Sequence, residues 1–173
     1  MTPARFFASR RGRLILKWSV LVVFVGIAVG LDLLTKSIAE HHLVLGETRK
    51  ILPFLYLQRT ANNGVAFGLL GGRGPVIIVA NVIAIAVVLF YVLMEKRALV
   101  AGIGGGLIIG GSLGNIVQRI AYGVVTDYLK FPHWPNFNLA DVFIVLGIAV
   151  IFLGVLVEGI RLVRADHKAR RDS

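Results

Sequence analysis

Four long apolar stretches alternate with polar segments along the chain. Crossing a bilayer as an α-helix takes about 20 predominantly apolar residues, and four stretches approach or exceed that length. They cover approximately residues 14–34, 75–94, 99–120 and 142–157. This pattern predicts an all-α polytopic membrane protein with four transmembrane helices. We expect residues 1–173 to form a single membrane-embedded domain.

The polar segment between the first two helices, residues 37–74, is too long for a simple linker. Its "KILPFLYLQRT" portion combines β-branched, aromatic and apolar residues with one proline, a composition that favours a short edge strand. The preceding "HLVLGETRKIL" provides a hairpin partner around Gly46. We therefore expect a small β element in this loop, at the outer membrane surface.

The third apolar stretch carries a glycine at every fourth position, at Gly102, Gly106, Gly110 and Gly114. This spacing places the glycines on one face of a helix, where the backbone of a neighbouring helix can approach closely. The stripe predicts tight helix packing and does not by itself indicate a site.

Composition supports a membrane protein and excludes other classes. Hydrophobic residues make up 57% of the chain and the mean hydropathy is +0.81, whereas soluble domains contain about 45–50% apolar residues with glycine included. The net charge of +10 would suit nucleic acid, but no recognition motif accompanies it. The chain has no cysteine, which excludes disulfides, thiolate metal sites and a cysteine nucleophile.

Basic residues are concentrated at both chain ends and in the loop between the second and third helices. With four helices, these three regions lie on one side of the membrane, and the bias of Lys and Arg toward inner loops identifies that side as cytoplasmic. Both termini are therefore expected in the cytoplasm. The residues that support this orientation are Arg5, Arg10, Arg11, Arg13, Lys17, Lys96, Arg97, Arg161, Arg164, Lys168, Arg170 and Arg171.

Two carboxylates stand out at the outer ends of the predicted helices. Asp127 follows the third helix and Asp141 begins the fourth, with a short segment rich in aromatic residues and proline between them. Two carboxylates in contact at a partly dry site share one proton, and such a pair can serve as general base and general acid. The spacing equally allows each Asp to be a helix-end cap.

These residues leave three function classes open. An aspartic peptidase would use both carboxylates on a water molecule. A small membrane transporter or channel subunit would use the acidic pair as a proton or cation site, although the sequence shows no internal repeat of the kind found in many transporters. A structural or lipid-binding protein would use the carboxylates only as caps.

Two further pairs have helical spacing. Asp32 and Lys36 lie four residues apart, which predicts an interfacial ion pair with Lys36 extending to the membrane surface. Asn115 and Arg119 also lie four apart, and an inward-facing Arg119 would take the carboxylates as partners. Ser112 has no adjacent base, and the four histidines lack metal-ligand spacing. We therefore expect no metal and no cofactor.

Five short motifs, in order, resemble those of the bacterial lipoprotein signal peptidase family, signal peptidase II. "DLLTK" is similar to the first motif, "RTANNGVAF" to Asn-x-Gly-x-Ala-Phe, and "GNIVQR" to Gly-Asn-x-x-Asp-Arg. "GVVTDYLKF" and "FNLAD" resemble the segments that carry two catalytic aspartates. The resemblance extends from about Asp32 to Leu156. The matching residues are Asp32, Lys36, Asn62, Gly64, Ala66, Phe67, Gly114, Asn115, Arg119, Asp127, Asn138 and Asp141.

This resemblance implies an intramembrane aspartic endopeptidase of the bacterial cytoplasmic (inner) membrane, with its site near the outer face. The implied substrates are diacylglyceryl-modified prolipoproteins, from which the signal peptide is removed just before the lipidated cysteine. Membrane lipids and globomycin-type inhibitors are the other implied partners. Asp127 and Asp141 would be catalytic. The implied supporting residues are Asn62, Gly64, Asn115, Arg119, Asn138, Asp32 and Lys36.

Position 118 departs from the family pattern. The motif has Asp where this chain has Gln118, and Tyr128 replaces a residue that is usually Phe. If the family's Asp offsets a nearby cation, Gln118 weakens the outer end of the third helix. On that interpretation, Gln118→Asp would raise thermal stability and change the rate by less than about tenfold.

Overall fold

The computed structural model of the protein describes residues 9–64 and 74–171. Within these ranges, the chain forms four long helices, all long and apolar enough to cross a membrane, and a small sheet. The predicted polytopic four-helix architecture with a β element is therefore confirmed. The elements are α1 (Arg10–His42), β1 (Thr48–Leu52), β2 (Leu55–Asn62), α2 (Gly74–Met94), α3 (Ala98–Tyr122), β3 (Val125–Lys130) and α4 (Leu139–Arg171).

Helix α3 lies at the centre of the bundle. Over its most apolar 18 residues, 78% are buried inside the protein, against 17%, 6% and 11% for the equivalent parts of α1, α2 and α4. The outer helices instead expose large apolar side chains such as Val23, Phe90 and Phe152. These exposed apolar side chains suit contact with lipid. The buried helix α3 is the element against which the other helices pack.

Glycines on two faces of α3 allow α1 and α4 to pack closely against it. An added Cβ at Gly106 would lie 2.7 Å from Phe24 Cβ on α1. A second face, which the four-residue spacing does not indicate, meets α4: a Cβ at Gly104 would lie 2.7 Å from Ile151 Cγ1. Real Cβ atoms do not approach other heavy atoms this closely, so both interfaces require the absence of a side chain.

The three strands form one antiparallel sheet in the order β1-β2-β3. β1 lies in the segment expected to be the hairpin partner of β2, and the hairpin turns at Pro53 and Phe54. A proline cannot donate to the ladder and is placed at the turn instead. The edge position expected for β2 is wrong, because β3 pairs along its other side. β3 comes from "VTDYLK", whose β-branched and aromatic residues favour a strand.

Helices α1 and α4 extend beyond their predicted ends. α1 contains 33 residues, about 50 Å at 1.5 Å per residue, and continues from the expected end near residue 34 to His42. A small apolar cluster of Ala39, Leu43 and Tyr128 fixes the sheet to this end of α1. The sheet therefore lies against the helix end that carries the polar residues of the candidate site.

Candidate active site

A buried ion pair lies on the inner face of α1. Lys36 Nζ donates to Asp32 Oδ2 at 2.7 Å, and neither side chain has exposed surface. The expectation that Lys36 reaches the membrane surface is therefore wrong. Asp32 Oδ1 accepts the backbone N–H of Ala140 on α4, and Lys36 Nζ also donates to Asn115 Oδ1 on α3. A buried charge pair needs such additional hydrogen bonds.

Gly114 and Asn115 connect this ion pair to the start of α4. A Cβ at position 114 would collide with Asp32 Oδ2, so glycine leaves room for the carboxylate. The Oδ1 atom of Asn115 accepts from Lys36 and from Asn138, and its Nδ2 donates to Asp141 Oδ1 at 3.0 Å. The amide of Asn115 on α3 thus links a side chain of α1 to the start of α4.

Asn138 and Asp141 cap the first turn of α4 reciprocally. The Asp141 N–H donates to Asn138 Oδ1, and the Asn138 N–H donates to Asp141 Oδ2, both at 3.1 Å. This is the arrangement of a capping box. The interpretation of Asp141 as a helix cap therefore holds for one carboxylate oxygen, whereas the other oxygen faces Asn115.

Asp127 lies on β3 and is only 2% exposed. Asn62 Nδ2 donates to its Oδ2 at 2.7 Å, and Asn138 Nδ2 donates to its Oδ1 at 2.6 Å. Asn62 is oriented by Gly64, whose N–H donates to Asn62 Oδ1 at 2.8 Å. Gly64 has a φ of 87°, which favours glycine. The local turn therefore explains why Asn and Gly stand two residues apart.

Asn138 brings the two carboxylates together, because its side chain contacts Asp127 and its backbone contacts Asp141. Burial raises the pKa of Asp127 to about 6. The negative charge of Asp141 also raises this pKa, whereas the hydrogen bond from Asn62 lowers it. A carboxyl group with this pKa exchanges a proton readily near neutral pH.

Arg119 does not form the ion pair expected from its spacing. Among the described residues, Arg119 has no carboxylate partner, and its buried Nε has no hydrogen-bond partner. The oxygens of Asp127 and Asp141 are already acceptors for asparagine amide groups and one backbone N–H. Ala66 and Phe67, which match the second motif, lie outside the described residues.

Gln118 faces a carboxylate and not a cation. Its Nε2 donates to Glu40 Oε1 at 2.8 Å, and its Oε1 accepts the N–H of Thr126 at 2.8 Å. Thr126 Oγ1 also donates to Glu40 Oε1, at 2.5 Å. The premise that an Asp here would offset a cation finds no support in these contacts, because the charged partner of Gln118 is a carboxylate. The sequence interpretation missed Glu40, although it continues the four-residue spacing of Asp32 and Lys36 and so lies on the same face of α1.

Tyr128 also links β3 to α1. Its hydroxyl donates to Thr35 Oγ1 at 2.7 Å, a bond that the family's usual Phe cannot make. Burial raises the pKa of Tyr128, so the phenol keeps the proton that it donates. This residue, with Gln118 and Thr126, fixes the strand on both sides of Asp127.

An apolar groove of about 630 Å³ opens beside Asp141. One side belongs to α4 and the other to the loop between β3 and α4. Because Trp134 and Val145 are largely exposed, the groove opens toward the lipid-facing surface of α4. The lining residues are Phe131, Trp134, Phe137, Asp141, Val142, Val145 and Leu146.

The described part of the chain contains no group of three or more His, Asp or Glu residues placed to hold a metal ion. The groups gathered at the site are the carboxylates of Asp127 and Asp141, three asparagine amides, the ion pair of Asp32 with Lys36, and the cation of Arg119. This set can move protons and hold an oxyanion, the operations that hydrolysis by an activated water requires.

Solved structures share the fold of this chain. Two of them, both described as "Bacterial membrane enzyme structure by the in meso method", at 2.3 and 1.9 Å resolution, match this chain with a TM-score of 0.73 and 24% sequence identity. The matches cover 82% and 80% of this chain, and 90% and 93% of those chains. The protein therefore has the fold of a polytopic membrane enzyme.

Sequence comparison identifies the family. The model described as "Signal peptidase (SPase) II" matches residues 24–157. Proteins named "Lipoprotein signal peptidase" from Halothermothrix orenii, Mesorhizobium japonicum and Pelotomaculum thermopropionicum are 38%, 39% and 35% identical to this chain. The alignments cover 76%, 81% and 86% of this chain, and 91%, 87% and 99% of those proteins. The chain belongs to the signal peptidase II family, and it is a multi-pass bacterial membrane protein and a peptidase.

We predict that Gln118→Asp lowers the thermal stability of the purified protein. The shorter side chain would lose its bond to Thr126 and place a second carboxylate beside Glu40, at a cost of about 1–3 kcal/mol. Thermal unfolding in one detergent measures the change. The double variant Glu40→Gln/Gln118→Asp restores one carboxylate and one amide, and should recover most of the loss. An unchanged or higher unfolding temperature for Gln118→Asp would show that Glu40 does not control this position.

Proposed function

We propose that this protein is an intramembrane aspartic endopeptidase that removes the signal peptide from diacylglyceryl-modified prolipoproteins, cutting just before the lipidated cysteine. The observation that carries the proposal is the contact of Asn138 with both Asp127 and Asp141 beside an apolar groove. Two carboxylates in a buried amide cluster suit acid–base hydrolysis. The names of the relatives support the prolipoprotein substrate.

In the proposed reaction, the two carboxylates share one proton, held at rest by Asp127. Its raised pKa of about 6 supports this assignment. Asp141 accepts a proton from a water molecule, the oxygen of which attacks the carbon of the scissile peptide bond, while Asp127 donates its proton to the carbonyl oxygen. When the tetrahedral intermediate collapses, the carbon–nitrogen bond breaks and the proton on Asp141 passes to the leaving amine of the cysteine. One hydroxyl of the intermediate returns its proton to Asp127, which restores the starting protonation of the pair.

The surrounding residues have supporting roles in this proposal. The amides of Asn62, Asn115 and Asn138 orient the carboxylates, and Gly64 orients Asn62. The buried pair of Asp32 and Lys36 fixes Asn115, and the positive charge of Lys36 favours the ionised form of Asp127. The last supporting residue is Arg119.

Arg119 is proposed to bind the substrate backbone. Its buried Nε has no partner among the described residues, and a peptide carbonyl would satisfy it. The apolar groove beside Asp141 would take the hydrophobic end of the signal peptide or the attached acyl chains. A peptide inhibitor of the globomycin type would act by occupying the same space and blocking the carboxylate pair.

We further propose that residues 1–173 form one membrane-embedded domain in the inner membrane. Both termini would be cytoplasmic and the carboxylate pair would lie near the outer face, in contact with membrane lipids along the exposed apolar helices. The concentration of Lys and Arg at the two tails and at Lys96–Arg97 supports this orientation.

Asp127→Asn and Asp141→Asn should each lower cleavage of a lipid-modified prolipoprotein by at least about a hundredfold, because either change removes the shared proton and no other activated nucleophile replaces it. A gel-shift assay with purified protein in detergent measures cleavage, and thermal unfolding checks that each variant is folded. Retention of more than about a tenth of the turnover by a folded variant would contradict the acid–base pair.

The cleavage efficiency of the free enzyme, kcat/KM, should fall as the pH rises through about 6, where Asp127 loses its proton. Asn62→Ala removes a hydrogen bond that favours the ionised carboxylate, so the fall should move to higher pH by on the order of one unit. Asn136→Ala is the matched control, since that amide donates to Gln58 and Thr60 and not to a carboxylate. A profile that Asn62→Ala leaves in place would contradict the role of Asp127.

The absence of cysteine allows a direct test of orientation. A cysteine introduced as Phe54→Cys, at the exposed hairpin turn, should react with a membrane-impermeant thiol reagent in cells with a permeable outer membrane. Lys168→Cys, on the exposed end of α4, should react only after the inner membrane is opened. The reverse pattern of labelling would invert the proposed topology.

A further inference from the structure

A second cavity lies at the opposite end of the bundle from the carboxylate pair. Its volume is about 540 Å³, and it is formed where the start of α1 meets the end of α2 and the loop that follows. The lining residues are Arg10, Arg13, Leu14, Lys17, Leu93, Met94, Glu95 and Lys96. None of these residues has a role in the proposed peptidase reaction.

The charge of this cavity is strongly positive. Four of its described lining residues are Lys or Arg, and the single carboxylate among them, Glu95, is already engaged by Arg97 at 2.7 Å and by the Tyr91 hydroxyl at 3.1 Å. Lys17 is 5% exposed, and its Nζ donates to Val92 O and Glu95 O at 2.7 and 3.0 Å. An ammonium group has three donors, so with two acceptors among the described residues one N–H of Lys17 is left for a ligand.

The position and apolar lining of the cavity match a lipid. Lys17 and Lys36 are 19 positions apart on α1, about 28 Å along the helix axis, close to the thickness of the bilayer's hydrocarbon core at about 30 Å. With the carboxylate pair at one face, Lys17 therefore lies at headgroup depth on the other. The exposed side chains of Leu14, Leu93 and Met94 continue the cavity onto the lipid-facing surface.

We propose that this cavity binds one anionic phospholipid, with the headgroup phosphate held by Arg10, Lys17 and Lys96 and the acyl chains lying along Leu14 and Met94. A phosphate supplies several acceptor oxygens and at least one negative charge, which matches converging Lys and Arg donors. Basic pockets between membrane helices bind anionic headgroups by this chemistry. An inorganic phosphate ion offers the same oxygens and lacks the chains, so affinity separates the two sources.

The test uses the full chain, purified in detergent, and compares the variant Arg10→Gln/Lys96→Gln with Arg164→Gln/Lys168→Gln. Both variants remove two positive charges from exposed side chains at the basic end of the protein. Among the described residues, none of the four forms an ion pair, and thermal unfolding checks that each variant is folded. Native mass spectrometry measures the binding of phosphatidylglycerol, with phosphatidylcholine and inorganic phosphate as comparison ligands.

The unmodified chain should bind one phosphatidylglycerol in preference to phosphatidylcholine. The cavity variant should bind it about thirtyfold more weakly, since each of the two basic residues contributes roughly 1 kcal/mol, and the tail variant should bind it nearly as well as the unmodified chain. Equal loss in both variants, no preference for the anionic lipid, or displacement of the lipid by an equal concentration of inorganic phosphate would each overturn the proposal. None of these outcomes depends on cleavage, so the lipid-binding proposal is tested separately from the proposed peptidase activity.

Discussion

The buried ion pair of Asp32 and Lys36 is the interaction on which the rest of the site depends. Two charges without solvent contact are stable only if hydrogen bonds complete their coordination. The partners come from two other helices: the Ala140 N–H at the start of α4 and the Asn115 amide on α3. Satisfying one pair of charges therefore fixes the relative positions of three helices, and the same partners hold the carboxylate of Asp141 through Asn115.

Asparagine amides, and not cations, make the direct hydrogen bonds to the two central carboxylates. Asn62, Asn115 and Asn138 donate to them without adding charge. A cation in direct contact would favour the ionised form of Asp127 strongly and remove its ability to hold a proton near neutral pH. Neutral donors orient the oxygens and leave burial as the main influence on the pKa. The same neutral amides therefore hold the site together and leave Asp127 able to keep a proton near neutral pH.

The sequence predicts the parts of this structure that follow a simple period. The four spans follow from the length of apolar runs, and the stripe of Gly106 and Gly110 follows from helical spacing. The pairing of β3 with β2 and the contact of Gln118 with Glu40 join segments distant in sequence, and no local pattern encodes them. Arg119 shows the same limit. Its spacing of four from Asn115 indicates which face of α3 it lies on, but not that asparagine amides already donate to the carboxylates of Asp127 and Asp141.

The contact of Gln118 with Glu40 has a consequence for how this sequence could have diverged from its family. An Asp at position 118 and a Glu at position 40 would place two carboxylates around the same Thr126 hydroxyl, so each residue limits what the other can be. On the predicted cost of placing two carboxylates here, an Asp at position 118 requires an uncharged residue at position 40 to give the same stability. We therefore expect positions 40 and 118 to be epistatic, with the residue at one position setting which substitutions the other tolerates.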